Sequence, residues 1–443
     1  MKNALLCTLL LFFSCTLYSQ QTWYVNLLAS GNNTGTSWSH AFTDLQDAMQ
    51  MAEAGDAIFI STGTYFPTYG IDRELYFELK NGVQLYGGFN GTGQDTSDRN
   101  PELYPTILSG DIGIPGDSTD NSFTVLYGLN LDNSTRLDGI IIEEGNADLI
   151  AGTEPYNSLR NTGAGMFLEG NNAYVRPVFF NCTFRNNRAR TGAGVACMSF
   201  TSNTAFNPHF DHCLFYKNYA TVNGGGLLIF DHNLNDSLYI QSCTFSGNLA
   251  VNGSAIYYDK VGSSFSPKNK YIFIDSCVFT QNSSFEPTGG NMLMFLGYFS
   301  QDENYVDYVH LNACQISNNI CSNQKSLIEA VVKFNSTLTT SELKNNQAGQ
   351  LISLVAEFET DTARVIDNQF SNNQTYGIVS IGGNSLLKNC IFESNTSGSS
   401  IAFGNTFSYP AKCIVQNNLF HHNQHLIAIF SAGSIVPMRH RLL

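Results

Sequence analysis

Short apolar runs alternate with polar turns through most of this chain, and the same order of positions recurs. One unit begins with a β-rich run at 238–240, continues through a polar pair at 241–242, and reaches Cys243-x-Phe245. An Asn stands three residues after the Phe, and a glycine-rich segment ending in an apolar residue follows. Because side chains alternate faces along a strand, this order predicts three short strands divided by a polar bend, an Asn turn and a Gly-rich bend.

The spacing of the repeat indicates one turn of a solenoid. From Phe184 onward the aligned apolar positions are 31, 30, 34, 37, 27, 27, 22 and 28 residues apart. A shortest unit of 22 residues is too small for a propeller blade, which needs about 40, and helical repeats would need amphipathic segments of period 3.6. The pattern predicts an all-β fold, a parallel β-helix, and the chirality of parallel crossovers predicts a right-handed coil.

Stacking of successive coils places equivalent side chains in columns about 4.8 Å apart. A Phe column would fill the interior, and glycine would permit the sharp bend. An Asn column suits tight turns, where Asn tolerates left-handed geometry and its amide can bond to the next coil. We expect a structural ladder of Cys182, Cys213, Cys243, Cys277, Cys314, Cys390, Phe184, Phe215, Phe245, Phe279, Asn187, Asn218, Asn248 and Asn282.

The Cys column has two interpretations. One is a disulfide or metal site, and the other is a buried stack of small apolar thiols. No close Cys/His pair with the spacing of a zinc finger recurs along the sequence. We therefore favour the buried stack, and we expect neither a metal nor a cofactor.

One amphipathic segment precedes the strands. Phe42, Leu45 and Met49 lie on one face of a predicted N-terminal capping helix. This helix spans 41–54, and Gly55 ends it. A helix at this place would cover the open first coil of a β-helix, whose exposed edge otherwise invites aggregation.

The chain divides into four parts. A positive start and an apolar run over 4–17 predict a signal peptide at 1–19, and no later stretch is apolar enough to span a membrane as a helix. Residues 20–110 would form the N-terminal cap and first coils, 111–430 the β-helix repeats, and 431–443 a C-terminal tail. For the tail, truncation of a longer product and anchoring by another route both stay open.

Composition narrows the function. The chain carries 22 Lys+Arg against 36 Asp+Glu, a formal net charge of −14, and only 13% of its residues are charged. These values argue against a coiled coil, charge-rich disorder and a basic nucleic-acid-binding surface. Hydrophobic residues make up 43% of the chain, which is enough for a large core. We expect a turn-dense β protein with no nucleic-acid partner.

Several N-terminal motifs stand together in a recognisable order. They are Tyr-Val-Asn at 24–26, Gly-Thr-Ser-Trp at 35–38, Gly-Asp at 55–56, Gly-Thr-Tyr at 63–65, Gly-Gly-Phe at 87–89, Leu-Ser-Gly-Asp at 108–111 and Leu-Asp-Gly at 137–139. This order resembles the start of secreted bacterial right-handed β-helix proteins of the pectate-lyase-like superfamily. The Phe-x-x-Asn and Gly-Gly-x-apolar repeats are similar to those of chlamydial polymorphic outer-membrane proteins. The resemblance implies export, a β-helix and exposure at the surface of a Gram-negative envelope, and no single activity.

Three polar clusters are candidates for chemistry. Stacked acids could ligate calcium, a basic cluster could abstract the proton α to a uronate carboxylate, and a histidine group could hold a metal. Each cluster also has a structural interpretation, as bend-forming acids, a solvated turn and residues flanking an Asn turn. We favour the structural interpretation and predict no catalytic residue. The residues are Asp138, Asp211 and Asp275; Arg185, Arg188 and Arg190; and His421, His422 and His425.

The sequence favours an exported, non-catalytic β-helix surface protein, adhesin-like or structural, that binds a glycan or a cell-surface protein. The repeat positions hold stacking residues, and no reactive constellation stands among them. The alternative is an extracellular polysaccharide lyase or glycoside hydrolase, whose groove would be formed by inserted loops near 145–180 and 285–305.

Overall fold

The structure covers most of the repeat region. The computed structural model describes residues 20–149, 158–199, 201, 204–231, 236–260, 270–284, 290–296, 307–331, 334–355, 362–382, 384–397, 401–404, 413–424, 429–430 and 439–442. The predicted signal peptide at 1–19, His425, and residues 431–438 and 443 of the predicted tail lie outside these ranges.

The strands stack in parallel register as the coils of a β-helix. In each coil a first strand and a second strand meet at a bend and belong to one long sheet, and a third region returns through further parallel sheets. Pairing is parallel from Thr22 opposite Ala57 in the first coil to Phe392 opposite Phe420 near the end. The predicted parallel β-helix is therefore confirmed, while its right-handed sense stays a prediction from crossover chirality.

The bounds of the elements follow this three-part plan. The first strands are Thr22–Val25, Ala57–Ser61, Gln84–Phe89, Arg136–Asp138, Val178–Phe180, His209–Asp211, Asp236–Gln241, Lys270–Asp275, Asp307–Asn312, Phe334–Thr339, Thr362–Ile366 and Asn384–Lys388. The second strands are Gly63–Tyr65, Thr106–Ser109, Ile140–Glu143, Thr183–Arg185, Leu214–Tyr216, Thr244–Ser246, Val278–Thr280, Gln315–Ser317, Glu342–Lys344, Gln369–Ser371 and Ile391–Glu393. Cys413–His421 and Arg439–Leu442 continue both rows.

The third region holds two sheets. The short sheet contains Asn146–Ala147, Arg188–Thr191, Tyr219–Asn223, Leu249–Ala250 and Ser283–Ser284. The long sheet contains Phe77–Leu79, Leu126–Leu129, Met166–Gly170, Val195–Ser199, Leu227–Asp231, Ile256–Lys260, Leu293–Leu296, Ser326–Val331, Gln347–Val355, Gln374–Gly382, Thr396–Ser397, Ile401–Gly404 and Ile429–Phe430. The remaining elements are the strand pair Tyr174–Val175 and Ala205–Phe206, the α-helix Leu45–Met51 and the 3₁₀ turns Trp38–His40 and Thr96–Asp98.

An aromatic column runs through the interior at the second strands. Phe184 lies opposite Phe215, Phe215 opposite Phe245, and Phe245 opposite Phe279. Their ring centroids are 5.2, 4.4 and 5.1 Å apart, and the ring planes are nearly parallel. All four side chains are fully buried, so each contributes roughly 1.5–3 kcal/mol of apolar burial. The same column continues through Ile316, Leu343, Phe370, Phe392 and Phe420.

Asn side chains form a hydrogen-bonded ladder next to this column. Oδ1 of Asn248 accepts from the backbone N–H of Asn218 at 3.1 Å and from its Nδ2 at 3.0 Å. Nδ2 of Asn248 donates to Phe215 O at 2.8 Å in the preceding coil and to Oδ1 of Asn282 at 3.0 Å in the next. Each buried amide therefore ties its own coil to both neighbours. The ladder comprises Asn187, Asn218, Asn248, Asn282, Asn319, Asn346, Asn373, Asn395 and Asn423.

The ladder Asn residues do not make the left-handed turn that the sequence predicts for them. None of Asn187, Asn218, Asn248 and Asn282 has a positive φ. The residue before the ladder position takes that conformation instead, as Gln281 does with φ of 57°. The expectation was wrong because an Asn side chain has to point inward to reach both neighbouring coils, so the residue before it turns the chain.

The N-terminal helix is shorter than the predicted span of 41–54. It covers Leu45–Met51, and the side chain of Asp44 caps it by accepting from the backbone N–H of Gln46. Phe42 forms a parallel bridge with Val25, which is β geometry and not helix. Leu45, Ala48 and Met49 are buried in the same core as the first coil, as the capping role requires.

We expect Asn248→Ala to destabilise the protein by about 3 kcal/mol or more, because several buried donors and acceptors lose their partners together. Asn323→Ala is the matched control, since Asn323 is exposed and lies outside the ladder. The midpoints of thermal and urea unfolding measure the difference. Equal midpoints for the two variants would contradict a stabilising role for the ladder.

Candidate functional site

Alternate residues of the first strands point away from the core and form the outer side of the long sheet. In Lys270–Asp275, Ile272 and Ile274 are buried, while Tyr271, Phe273 and Asp275 are partly exposed. Because the coils are in register, the outward residues of one first strand lie directly above those of the next. The outer side is therefore a set of rows that run along the solenoid.

One of these rows is aromatic over four consecutive coils, and the adjacent row is aromatic over two of them. His209 lies opposite Tyr239, Tyr239 opposite Phe273, and Phe273 opposite His310. In the adjacent row Tyr271 lies opposite Tyr308. We refer to this surface as the outer aromatic face, and it consists of His209, Tyr239, Tyr271, Phe273, Tyr308 and His310.

The rings of the outer aromatic face contact one another along and across the rows. The ring centroids of Tyr239 and Phe273 are 5.3 Å apart with planes at 13°, and those of Tyr271 and Tyr308 are 4.6 Å apart with planes at 7°. Tyr271 and Phe273 lie side by side at 6.4 Å. Because the rings stack along the solenoid axis, they hold one another in place. Tyr239 is 46% exposed, which makes it the most accessible ring of the set.

A polar row borders the aromatic rows. It places Asp211, Gln241, Asp275 and Asn312 opposite one another on consecutive coils. Nδ2 of Asn312 donates to Oδ1 of Asp275 at 2.7 Å, and Asp211 Oδ1 lies 2.6 Å from Nδ1 of His212. The face thus combines apolar rings with side chains that can donate and accept hydrogen bonds, an arrangement suited to binding an amphipathic ligand.

The three aligned acids do not form a shared metal site. Phe180 lies between Asp138 and Asp211 in the row, and Gln241 lies between Asp211 and Asp275. Asp138 is buried and forms ion pairs with Arg99 and Arg136. The acids are also not the bend residues that the structural interpretation predicts. The following residue turns the chain, as in Gly139, His212 and Ser276, which have φ of 69°, 52° and 54°.

The arginine cluster is distributed over several interactions. Nε of Arg185 donates to Oε2 of Glu143 at 2.5 Å, and the guanidinium of Arg188 lies 4.7 Å from the ring centroid of Tyr219. Arg190 belongs to the same strand as Arg188. The guanidinium groups of Arg185 and Arg188 are thus engaged with neighbouring coils, as expected for a structural role.

Of the histidine group, His421 ends a strand and His422 lies in the turn that follows. His422 has φ of 51° and takes the left-handed position just before Asn423. Nδ1 of His421 lies 3.8 Å from Oε1 of Glu393. Within the described part of the chain, no group of three or more His, Cys, Asp or Glu side chains is placed to hold a metal ion.

The Cys column is a row of buried thiols that continues as a polar row. Sγ of Cys277 donates to Ile240 O in the preceding coil at 3.4 Å. Asn368 occupies the same position in a later coil, and its Nδ2 donates to Leu338 O at 2.8 Å. The thiols therefore make the weaker form of a contact that an amide makes elsewhere. The eight cysteines whose side chains the structure describes are free and buried: Cys182, Cys197, Cys213, Cys243, Cys277, Cys314, Cys321 and Cys390.

Sequence reasoning missed a buried charge network. Nζ of Lys260 lies 2.8 Å from Oδ1 of Asp307, and Nζ of Lys270 lies 2.6 Å from Oδ2 of Asp231, with all four side chains at most 1% exposed. Burial lowers the pKa of Lys260, and the neighbouring carboxylate of Asp307 opposes this shift. Because solvent does not reach these groups, each ammonium group depends on its carboxylate partner to remain charged inside the coil. In the sequence these lysine and aspartate residues appear only as charged residues at the ends of strands. Charged residues at exposed strand ends look the same, so the sequence did not identify the buried pairs.

The comparisons with known proteins place the chain in a family. Residues 29–262 match the sequence profile of the family described as "Protein of unknown function (DUF1565)". This match covers more than half of the chain, so the protein belongs to that family. No curated protein matches the sequence. None of the helices among the described residues is long and apolar enough to cross a membrane.

Several solved structures share a broad similarity with this chain. Pectate lyase Pel9A is 14% identical, with a TM-score of 0.37 and coverage of 90% of this chain and 80% of the lyase. A rhamnogalacturonan lyase is 15% identical, with a TM-score of 0.36 and coverage of 94% and 87%. The A-module of mannuronan C-5 epimerase AlgE4 from Azotobacter vinelandii is 12% identical, with a TM-score of 0.30 and coverage of 90% and 93%. We therefore assign the fold from the parallel strand pairing within this chain and not from these similarities.

We expect the thiols of the Cys column to resist alkylation in the native protein. Burial raises the pKa of Cys314 to about 12 and that of Cys390 to about 11. Thiolate is the reactive form, so native labelling stays slow from about pH 7 to pH 10, whereas labelling of the unfolded chain accelerates near its ordinary pKa of about 8.5. Iodoacetamide labelling read by peptide mass spectrometry measures each site. Fast native labelling of Cys314 would contradict its burial.

Proposed function

We propose that this protein is an exported, non-catalytic surface protein that binds an extended glycan along its outer aromatic face. The observation that carries the proposal is the outward row of rings, repeated coil by coil, with Tyr239 46% exposed and a polar row alongside. The exported and surface-exposed state is part of the proposal.

The chemistry of the face suits a polymer of sugar units. A tyrosine offers an apolar ring and a hydroxyl group, and a sugar residue likewise has apolar C–H patches and hydroxyl groups. Adjacent coils are about 4.8 Å apart, so a chain of identical units lying along the axis meets similar groups at each step. Beside the rings, Asn312 uses one carboxylate oxygen of Asp275, and the second oxygen of Asp275 can accept from a sugar hydroxyl.

The rigidity of the face favours binding without rearrangement. Tyr271 and Tyr308 stack at 4.6 Å, and the strands that carry them are paired in register over five residue pairs. Side chains held by neighbours lose less conformational freedom on binding than free ones do. The solenoid therefore presents a prearranged strip and has no need to close around its ligand.

The polar groups of the outer face are engaged in structural contacts. Asp275 accepts from Asn312, and Asp211 contacts His212. Arg185, a candidate for proton abstraction, is paired with Glu143. These contacts support a binding role in preference to a catalytic one.

A glycan-cleaving enzyme is a second candidate, and Asp259 is the observation that favours it. Asp259 lies on the outer side of the long sheet of the third region, opposite Phe230 and Leu296. Burial raises its pKa, and the hydroxyl of Tyr257 lies 3.5 Å from its Oδ2 and opposes that shift. A carboxyl group with a raised pKa in an apolar setting can serve as a general acid.

We expect Tyr239→Ala to weaken glycan binding about tenfold, since it removes the most exposed ring of the face. Tyr69→Ala is the matched control, because Tyr69 is exposed and lies outside the face. Glycan arrays followed by calorimetry with the best polysaccharide measure the effect. Equal loss in both variants, or no loss in Tyr239→Ala, would overturn the assignment of the face.

We expect no turnover when the full chain is incubated with uronic-acid and neutral polysaccharides. Release of reducing ends and the absorbance of unsaturated products together detect hydrolysis and elimination. Turnover that Asp259→Asn abolishes would overturn the non-catalytic proposal and support the enzyme. Arg188→Ala tests the basic cluster in the same assay, and loss of turnover in that variant would assign a lyase.

A further inference from the structure

We infer that the loop at 110–122, together with Asn146, binds a hard divalent cation, calcium above all. The loop connects the strands Thr106–Ser109 and Leu126–Leu129 and lies against Asn146 of the next coil. It belongs to a different part of the solenoid from the outer aromatic face, and the inference is independent of the proposed function.

The loop is folded on itself by its own acidic side chains. Asp111 accepts from the backbone N–H of Gly116 at 2.9 and 3.1 Å, and Asp120 Oδ2 accepts from the backbone N–H of Ile114 at 2.8 Å. Asp117 accepts from the N–H and hydroxyl of Thr119. The loop therefore has a defined shape before any ion binds.

Besides the hydroxyl of Ser122, three carboxylate or amide oxygens at this loop are inaccessible and have no hydrogen-bond donor. They are Oδ1 of Asp120, Oδ1 of Asn121 and Oδ1 of Asn146. Asn121 and Asn146 are each only 2% exposed. A buried acceptor without a partner loses its hydration and gains nothing in return, and native proteins hold few such groups. Three of them at one loop, one of them on a carboxylate, are groups that a bound cation would satisfy.

The carboxamide of Asn146 reaches into the loop. Its Nδ2 donates to Ser118 O at 2.7 Å, so its Oδ1, on the same carbon atom, also lies against the loop. The carboxylate of Asp120 is fixed in the same way, because its Oδ2 is held by Ile114 and its Oδ1 is left over. Both free oxygens thus belong to groups that the loop itself positions.

The nearby guanidinium does not satisfy these oxygens. Arg73 donates to the backbone carbonyls of Asn121 at 2.6 Å and Asn146 at 2.8 Å, and it also contacts Asp148. The side-chain oxygens of the same two Asn residues are left without a donor. Arg73 therefore fixes the backbone of the site and leaves its side-chain oxygens available.

The donor set indicates the kind of cation. One carboxylate and two amide oxygens are hard ligands, and they include neither the thiolate nor the imidazole that zinc and copper prefer. Calcium accepts six to eight oxygens in flexible geometry and uses amide oxygens readily, whereas magnesium demands a stricter octahedron. With a single carboxylate we expect weak binding, at a dissociation constant of about 10⁻⁴–10⁻³ M, as in extracellular calcium modules.

Calcium titration of the EDTA-treated full chain tests the inference. We expect one calcium per chain by calorimetry, a rise in the melting temperature, and slower proteolytic cleavage within 110–122. Asp120→Asn keeps the shape of the side chain and removes its charge, and we expect it to weaken binding by roughly tenfold or more. Asp132→Asn is the matched control, since Asp132 holds a different turn through Ser134; it should bind calcium as the wild type does.

Two outcomes would overturn the inference. One is a melting temperature and a cleavage rate that do not change in wild-type protein with calcium up to about 10 mM, well above the expected dissociation constant. The other is calcium binding by Asp120→Asn that equals the wild type. The cleavage assay on wild-type protein keeps the test decisive even if the variant fails to fold.

Discussion

Each coil of this protein buries a turn between two neighbouring coils, and the polar groups of that turn have to find partners away from water. The Asn ladder meets this requirement, because each side chain accepts from one neighbouring coil and donates to both. The ladder also fixes register. A shift of one residue would turn the Phe column outward and bring polar side chains into the core, at a large cost in burial and hydrogen bonding. Interior packing and outer surface both follow from this register.

The outer surface repeats from coil to coil because the coils are in register. Once Phe245 and Phe279 are fixed one above the other, the outward residues of the adjoining first strands, such as Tyr239 and Phe273, are aligned as well. The coil register alone therefore produces a row of partly exposed rings with a polar row beside it, and this surface is available for binding. Insertions alter this plan locally. The loop at 110–122 lies against Asn146 through the carbonyl of Ser118, and Lys260 and Lys270 are each paired with a carboxylate inside a corner of the coil.

Much of the fold is predictable from the sequence because the repeat places one residue type at one position. The motif Cys-x-Phe-x-x-Asn gives the coil, the register and the inward Phe residues directly. Local geometry is less accessible: the left-handed residue varies among Asn186, Lys217, Gly247 and Gln281, so no single residue type marks it. The helix start was predicted too early because the pattern of Phe42, Leu45 and Met49 does not show that Asp44 is the cap.

The polar character of the Cys column could have been inferred from the sequence, because Ser341, Asn368 and Asn418 occupy the same position in other coils. The buried lysine pairs and the contact of the loop at 110–122 with Asn146 depend on segments that are distant in the sequence, which no local pattern contains.

Hydrogen exchange at the ladder turns tests the central claim most directly, because it reports whether the coils are locked together where the chain bends. The backbone amides of Asn218, Asn248 and Asn282 donate to the Asn of the next coil. The account predicts that these turn amides exchange as slowly as those of the interior strands, with protection that persists from coil to coil. Exchange at the rate of an exposed turn, such as the one at Asn323, would contradict it, and the aligned outer surface would lose its physical basis.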